Sequence, residues 1–313
     1  MDKKSGYRVV IEDCMGVKED ESVLILTDDV KYNIGVSLFE ESKKIAKESV
    51  LMIMEARSVS GEEPPDSVAE SMKNFDVIIC PTAVSLTHTN AKKNAVIKGA
   101  RLGSMPGITE EMFEVGAIIA DYKSVEELTM KFTDLFNTSK TAKIVKDRYI
   151  LEMSLSNRKG VPSTGIYKNP GESGNLPSGE AYIAPVEGTV NGEIIIDGSM
   201  GGVGKLNSPL YVKIKDGVLK KLKGEDAHKL QVLFDNDENG TVAELGIGTN
   251  TAARLTGIIL EDEKIYGTVH IAFGTNISFG GTNKAACHLD GIILNPTLYL
   301  DDKIVLKDGI ALV

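Results

Sequence analysis

The sequence predicts an α/β N-terminal domain with a Rossmann-like parallel sheet, followed by a glycine-rich, mainly β (α+β) C-terminal domain. The chain has 313 residues, which exceeds the usual size of a single hydrophobic core. Of its 31 glycines, eight lie in residues 1–150 and 23 in the remainder. Because glycine favours turns and weakens helix interiors, we expect helices in the first half and strands joined by turns in the second.

Short apolar runs alternate with helical patterns in the N-terminal half. The runs that have the composition of buried parallel strands are residues 23–26, 50–54 and 77–80. Asp28 and Asp29 are predicted to cap a helix, a second helix is predicted over 87–98, and Ser124–Glu127 forms a capping box that opens a third. Strands that alternate with helices favour a parallel sheet.

The second half is predicted to consist of strands separated by tight turns. The clearest strand patterns are residues 193–196, 210–214, 257–260, 265–270 and 292–294. Asp216-Gly217, Asn239-Gly240 and Asp308-Gly309 are dipeptides typical of hairpin turns. Placing the boundary after the last helix of the first half predicts domains of 1–139 and 140–313.

The charge and the cysteine content argue against several classes of protein. The net charge of −10 is opposite in sign to that of most nucleic-acid-binding or anionic-membrane-binding proteins. No stretch approaches the roughly 18 consecutive apolar residues of a membrane helix, and the first residues lack the apolar core of a signal peptide. The three widely spaced cysteines do not suggest a disulfide framework. We therefore expect a cytoplasmic protein with neither nucleic acid nor membrane as a partner.

Two glycine-rich segments resemble nucleotide-binding loops but lack essential residues. Residues 198–205 end in Gly-Lys, yet Ser199 stands where a phosphate loop has its first glycine, and Leu206 replaces the hydroxyl residue after the lysine. Residues 246–251 lack the third glycine of a dinucleotide fingerprint. No nucleotide site is predicted at either segment.

Histidines and carboxylates in strand-like contexts are the candidate site residues. His288 and Asp290 are two residues apart, so on a strand both project from the same face, where they can hold a metal ion or simply pair with each other. His270 ends a predicted strand before a glycine-rich loop. Glu180 and Glu244 lie among apolar and glycine residues, where a buried carboxylate needs a metal ion or a basic side chain to compensate it.

Four segments, occurring in a fixed order, carry a family resemblance. They are NLPSGEAYIAP at 175–185, ELGIGTN at 244–250, EDEKIYGTVHIAFG at 261–274 and HLDG at 288–291. Together they resemble the metallo-aminopeptidase family of aminopeptidase T and aminopeptidase S, whose members are often labelled leucyl aminopeptidases. A more distant resemblance connects the chain with ring-cleaving dihydroxypyridine dioxygenases.

The resemblance implies a metal-binding C-terminal domain with five ligands. Carried over residue by residue, these ligands fall on Glu180, Glu244, His270, His288 and Asp290. Five mixed nitrogen and oxygen ligands suit two divalent ions, which we expect to be Zn, Co or Mn. The implied enzyme is a metal-dependent aminopeptidase, in which metal-activated water attacks the peptide and Glu180 or Glu244 acts as the catalytic base. The resemblance also implies a peptide or small-molecule substrate, and the exopeptidase class further implies a homodimer or a larger homo-oligomer.

Two alternatives remain open at the level of sequence. Ile277 occupies the position of a tyrosine that the aminopeptidases use, which weakens the peptidase interpretation more than metal binding itself. The first alternative is a non-haem Fe(II) dioxygenase, with iron held by His270, His288 and Asp290. The second is a non-catalytic metal-binding relative. Retention of both Glu180 and Glu244 favours the two-metal hydrolase.

Overall fold

Residues 4–313 are described by a computed structural model, in which the chain divides into two units. The first unit runs from the N-terminal end of the described chain to Lys123 and takes in Gly165–Ser178, and the second contains Ser124–Thr164 and Gly179–Val313. The boundary predicted at residue 139 lies inside the second unit. The physical reason is that Phe132 and Phe136, on the last predicted helix, are buried in the core of the second unit.

Most helices in the described chain are short. The α-helices are α1 (Gly6–Arg8), α2 (Tyr32–Ser42), α3 (Asp66–Met72), α4 (Asn90–Ile97), α5 (Glu110–Glu114), α6 (Tyr122–Thr138), α7 (Asp237–Gly240) and α8 (Ile259–Asp262). A π-helical turn covers Val9–Cys14, and 3-10 turns cover Ala117–Ile119, Glu225–Phe234 and Ile277–Phe279. Across residues 4–313, none of the helices is both long enough and apolar enough to cross a membrane.

The strands are concentrated in the second half of the chain. They are β1 (Ser22–Asp28), β2 (Glu48–Met54), β3 (Val77–Thr82), β4 (Arg101–Pro106), β5 (Thr141–Lys146), β6 (Tyr149–Ser154), β7 (Val161–Ser163), β8 (Ser173–Asn175), β9 (Glu180–Ile183), β10 (Asn191–Ile196), β11 (Ser199–Met200), β12 (Gly204–Lys205), β13 (Leu210–Lys215), β14 (Val218–Lys223), β15 (Val242–Gly248), β16 (Val269–Gly274), β17 (His288–Ile293), β18 (Thr297–Leu300), β19 (Lys303–Lys307) and β20 (Ile310–Ala311).

The first unit contains the parallel sheet that the alternating pattern predicts. Its strand order is β2-β1-β3-β4-β8, and every pairing in it is parallel. Residues 23–26 of β1 and 77–80 of β3 are fully buried, as expected for strands covered on both faces. The α/β class of this half is therefore confirmed.

The second unit is built from two antiparallel sheets that share one apolar core. The eight-stranded sheet has the order β14-β13-β10-β6-β5-β18-β19-β20, and the seven-stranded sheet has the order β12-β11-β17-β16-β15-β9-β7. Side chains such as Ile194 of the first sheet and Ile271 of the second belong to the same buried cluster. Asp216-Gly217 and Asp308-Gly309 form the predicted hairpin turns, with positive φ at all four residues. The mainly β character of this half is confirmed.

Three local predictions in the second unit are wrong. Residues 257–260 do not form a strand. The carboxylate of Asp262 accepts hydrogen bonds from the N–H groups of Thr256 and Gly257, and the chain turns there into helix α8. The strand that contains His270 begins only at Val269, since Thr268 closes a turn on the carbonyl of Ile265. Asn239-Gly240 ends the short helix α7, which Asn236 caps, rather than forming a hairpin.

Candidate metal centre

Four adjacent strands of the seven-stranded sheet bring the five predicted ligands together. Glu180 is the first residue of β9, Glu244 lies in β15 and His270 lies in β16. His288 and Asp290 lie on β17, two residues apart as the strand pattern requires. Because β17, β16, β15 and β9 are neighbours in this order, residues far apart in the sequence meet at one place on the sheet.

The five side chains form a series of close contacts centred on Glu244. The Oε1 atom of Glu244 lies 3.3 Å from Nε2 of His270, and its Oε2 atom lies 3.5 Å from Nε2 of His288. His270 Nε2 is also 3.4 Å from Glu180 Oε2, and His288 Nε2 is 3.4 Å from Asp290 Oδ1. Two compact ligand sets result: the Glu180 set is Glu180, Glu244 and His270, and the Asp290 set is Glu244, His288 and Asp290.

Two glycines of β15 make room for this cluster. Gly246 lies opposite His270 in the antiparallel register, and a Cβ atom there would come within 2.0 Å of the imidazole Nε2. Gly248 lies opposite Glu180, and a Cβ atom there would come within 2.0 Å of the carbonyl oxygen of Ile265. The glycine-rich sequence around Glu244 therefore permits the close approach of a histidine ring on one side and a backbone segment on the other.

The donor atoms fit a bound divalent cation. Nδ1 of His288 lies 2.9 Å from the carbonyl oxygen of Thr275, which can only accept, so Nδ1 carries a proton. Nε2 faces the carboxylates and is the nitrogen that could bind an ion after losing its own proton. Glu180 Oε2 and Asp290 Oδ1 are buried, and neither has a hydrogen-bond partner within residues 4–313. Because such oxygens are costly to bury without compensation, a cation among them would stabilise the arrangement.

The carboxylates and imidazoles shift one another's pKa values. Burial raises the pKa of Glu244. Burial alone would lower the pKa of His270, but Glu244 and Glu180 raise it to about 9. Burial would also lower the pKa of His288, but Asp290 and Glu244 raise it to about 10. Burial opposes ionisation of Asp290, but the imidazoles lower its pKa to about 2. Without metal, protons on the imidazoles thus compensate the carboxylates, and a bound ion would have to displace them.

A buried lysine also belongs to the cluster, and the sequence patterns did not identify it. The side chain of Lys264 is fully buried, and its Nζ atom lies 2.5 Å from Glu180 Oε1 and also contacts the carboxylate of Glu263. Burial alone would lower the pKa of Lys264, but these two carboxylates raise it, so the ammonium group stays charged. The available signal was the run of four charges from Glu261 to Lys264 between apolar segments. Such a run usually indicates an exposed surface, whereas Glu261, Asp262 and Lys264 are completely buried.

Aromatic side chains lie at the more open side of the cluster. The side chain of His288 is 29% exposed, whereas that of His270 is fully buried. The Phe279 ring meets the His288 ring edge-to-face, with 5.9 Å between centroids, and meets the Tyr182 ring at 5.3 Å. Ile277, which stands in the tyrosine position of the aminopeptidases, is 52% exposed on the same short helical turn.

The other histidines and the neighbouring cysteine lie outside the cluster. His88 and His228 are exposed, and Nδ1 of His228 donates to the carbonyl oxygen of Glu225. Cys287 is partly buried as a free thiol, and burial raises its pKa, as expected for a packing residue rather than a nucleophile.

An antiparallel sheet that gathers carboxylates and imidazoles from four strands, in a chain that also has a parallel α/β unit, defines a candidate metalloenzyme. Residues 5–312 match the NicX family, described as 2,5-dihydroxypyridine 5,6-dioxygenase. Because this match covers nearly the whole sequence, the chain belongs to that family.

A curated relative and two solved structures are also similar to this chain. The 2,5-dihydroxypyridine 5,6-dioxygenase of Pseudomonas putida KT2440 is 26% identical over an alignment of 170 residues, which covers 48% of this chain and 47% of the relative. The chain thus matches about half the length of that curated relative. The solved structure of the 2,5-dihydroxypyridine dioxygenase from the same organism is similar with a TM-score of 0.81 and 18% identity, covering 98% of this chain and 96% of that chain. Wild-type AmpT from Thermus thermophilus is similar with a TM-score of 0.71 and 14% identity, covering 98% of both chains.

The prediction of a metallo-aminopeptidase is wrong, and the assignments as hydrolase and protease are wrong with it. The family and the curated relative indicate a dioxygenase, which the sequence left as the alternative. The structural similarity to AmpT supports an aminopeptidase-like fold. The motifs misled because they position side chains on a shared sheet, and a shared fold does not determine the reaction.

Proposed function

We propose that this protein is an iron-dependent dioxygenase that opens the ring of a dihydroxylated pyridine. The observation that carries the proposal is the convergence of Glu180, Glu244, His270, His288 and Asp290 in one largely buried cluster. Membership of the NicX family supplies the class of reaction. The proposed reaction depends on the imidazole and carboxylate donors of these residues and not on the resemblance to peptidases.

The residues of the Asp290 set are the proposed iron ligands, with His270 and Glu180 beside them. They replace the triad of His270, His288 and Asp290 expected from the sequence, because the ligand atom of His270 groups with those of Glu180 and Glu244. Imidazole and carboxylate donors are those that non-haem Fe(II) oxygenases use, and zinc is excluded as the working metal because it has no redox chemistry. When bound, iron supplies the centre at which a ring hydroxyl and dioxygen are activated. The contact between His288 and Thr275 fixes the tautomer that presents Nε2 to the ion. Glu180 is a poor candidate for a base, because Lys264 holds its Oε1.

The open side of the cluster suits a flat aromatic substrate. Phe279 and Tyr182 present aromatic surfaces next to His288, the most exposed of the five site residues. Aromatic rings favour offset-stacked or edge-to-face contacts, so these side chains can orient a pyridine ring against the ligands. A dihydroxypyridine would bring both the ring and a hydroxyl group to the same place.

The proposed reaction balances with dioxygen as the sole co-reactant. The activity named for the relative acts at ring positions 5 and 6, and we propose cleavage of the bond between these carbons here. Both oxygen atoms are retained: the hydroxylated carbon becomes a carboxylic acid carbon, and the adjacent carbon becomes the formyl carbon on nitrogen. Oxidation of the two ring carbons accounts for the reduction of dioxygen, so no external reductant is required.

The test is anaerobic loading of the full-length protein with Fe(II), followed by exposure to oxygen and 2,5-dihydroxypyridine. We expect equimolar consumption of oxygen and ring, measured with an oxygen electrode and by ultraviolet absorbance. His288→Ala should abolish iron binding and turnover, whereas His228→Ala makes the same change at an exposed histidine of the same unit and should leave both intact. Iron binding without oxygen uptake on any hydroxylated pyridine would favour a non-catalytic metal-binding role.

The homodimer or larger assembly was expected because exopeptidases are often oligomeric, and the family match removes that reason. It stays a prediction, and sedimentation of the full-length chain at micromolar concentration tests it.

A further inference from the structure

The loop that joins β16 to β17, residues 275–287, is closed by a pair of hydrogen bonds between Asn276 and Asn283. The N–H of Asn276 donates to the carbonyl oxygen of Asn283 at 3.1 Å, and the N–H of Asn283 donates to Oδ1 of Asn276 at 2.8 Å. The carbonyl oxygen of Asn276 also accepts the N–H groups of Phe279 and Gly281, at 3.2 and 3.0 Å. Asn276 is fully buried, so its contacts hold the loop together from the inside.

Glu187, which lies outside the loop, fixes the orientation of the Asn276 amide. Its Oε1 atom accepts Nδ2 of Asn276 at 2.9 Å and the N–H of Thr282 at 2.7 Å, while Arg158 pairs with its Oε2 atom. Burial opposes ionisation of Glu187, but these N–H donors lower its pKa, so the carboxylate only accepts hydrogen bonds. The amide nitrogen of Asn276 therefore faces Glu187, and the amide oxygen faces Asn283.

The peptide bond between Thr275 and Asn276 connects this network to the metal site. In a planar trans peptide the N–H and C=O groups point in opposite directions, so fixing one of them fixes the other. The N–H of Asn276 is held by Asn283, and the carbonyl oxygen of Thr275 lies 2.9 Å from Nδ1 of His288. The loop thus determines where the hydrogen-bond acceptor of His288 lies.

We infer that Asn276 is a positioning residue of the metal site, which orients the imidazole of His288 through the carbonyl group of Thr275. Outer partners that hold a histidine ligand fix its ring orientation and contribute to metal affinity. Glu187 acts one step further away, because it keeps the Asn276 amide in the orientation that pairs with Asn283. This inference rests on the metal site of the proposed function but not on the oxygenase reaction.

The test compares metal affinity with the state of the His288 ring in the full-length protein. Asn276→Asp removes the donor to Glu187 and places a second carboxylate against it, so Mn²⁺ should bind roughly 10–100-fold more weakly in isothermal titration calorimetry. Nuclear magnetic resonance of the metal-free protein with ¹⁵N-labelled histidine should show a proton on Nδ1 of His288 that is protected from exchange. Asn276→Asp should lose this protection, and His288→Ala identifies the signal by removing it.

A rescue variant and a control separate positioning from general damage to the loop. Asn276→Asp combined with Glu187→Gln exchanges donor and acceptor, so an amide again faces a carboxylate, and most of the affinity and the protected proton should return. Asn191→Asp makes the same change at an exposed asparagine of the same unit, whose Oδ1 accepts the N–H of Asp216 at 2.9 Å, and should bind Mn²⁺ like the wild type. Circular dichroism checks the folding of each variant, and Asn276→Ala removes the same contacts without adding a charge.

The outcomes distinguish this inference from the proposed function. Wild-type affinity in a folded Asn276→Asp or Asn276→Ala protein would overturn the inference, as would weaker binding with the His288 proton still protected, and both would leave the oxygenase proposal standing. A folded double variant without recovery would overturn the part assigned to Glu187. Failure of the wild type to bind Mn²⁺ would overturn both proposals. If neither single variant at Asn276 folds, the wild-type resonance decides, with a protected proton in support and an unprotected one against.

Discussion

The two ligand sets that share Glu244 are built from the same kinds of side chain but are compensated differently. In the Glu180 set, Lys264 binds the carboxylate, and the imidazole of His270 is fully buried, with no hydrogen-bond partner for Nδ1 in the described part of the chain. In the Asp290 set, the imidazole of His288 is partly exposed and its Nδ1 is fixed by a backbone carbonyl. The first arrangement resembles an internal ion pair, and the second resembles a preformed metal site.

This difference means that a count of ligand types does not describe how the cluster is compensated. Five donors suit two ions when they are counted from the sequence. That count leaves out the ammonium group of Lys264, which already donates to an oxygen of Glu180. Substitutions that act on one set and spare the other can therefore test the comparison.

The largest change in metal affinity is expected when one carboxylate charge is removed, first from one set and then from the other. Asp290→Asn should weaken metal binding by more than the roughly 10–100-fold lost when an outer partner of a ligand is removed. Glu180→Gln should weaken it by less than about tenfold, since Lys264 already neutralises that carboxylate. Isothermal titration calorimetry with Mn²⁺ measures both, and Asp197→Asn provides a control carboxylate in the same unit. Equal losses at Asp290 and Glu180 would show that the two sets are equivalent.

The next effect is a dependence of metal affinity on pH. Because the pKa of His288 is about 10 without metal, its imidazole is protonated at neutral pH and must lose a proton when an ion binds. Affinity should therefore rise with pH by about tenfold per unit for each proton displaced, and should fall as the solution becomes acidic. Calorimetry in buffers of different ionisation enthalpy counts these protons.

One displaced proton per ion would agree with His288 as the histidine ligand. Two displaced protons would mean that His270, whose pKa is about 9, also loses its proton, and the distinction between the two sets would then disappear. Affinity that does not change with pH would contradict the participation of either imidazole.

Much of the candidate site could be predicted from sequence because its signals are local. His288 and Asp290 follow the period of a strand, and Glu180 and Glu244 are isolated charges among apolar and glycine residues. Lys264 could not be identified in this way. It lies 84 positions from Glu180, within a charged run whose local pattern indicates solvent exposure.

The fold was predictable to a similar extent and for a similar reason. The apolar runs of β1 and β3 are local signals of buried parallel strands, and both strands form as expected. The assignment of α6 to a unit depends on where Phe132 and Phe136 pack, which the helix pattern does not specify. The failure at 257–260 has the same origin, because the turn there depends on hydrogen bonds from the side chain of Asp262.

A smaller effect on metal affinity is expected when a side chain fills the space beside Gly246 of β15. Gly246→Ala would place a Cβ atom within 2.0 Å of His270 Nε2, so the ring must move. Overpacking of this kind typically destabilises a protein by about 1–3 kcal/mol, which urea denaturation of the metal-free protein can measure. Metal affinity should fall less than in Asp290→Asn, because the displaced ring belongs to the Glu180 set. Unchanged stability would show that His270 is not held as tightly as its burial indicates.

The smallest effect on metal binding is expected at the aromatic wall. Phe279→Leu keeps an apolar side chain but removes the edge-to-face contacts with His288 and Tyr182, which are typically worth about 0.5–1.5 kcal/mol per pair. If the wall orients the substrate, KM for 2,5-dihydroxypyridine should rise roughly two- to tenfold, by the usual conversion of such energies, while Mn²⁺ affinity stays within about twofold. Phe234→Leu is the matched control, because Phe234 is exposed on another helical turn of the same unit. Loss of metal binding in Phe279→Leu, with binding unchanged in Phe234→Leu, would mean that the Phe279 ring holds His288 in position rather than orienting the substrate. The geometry of the Asp290 set would then depend on this aromatic contact.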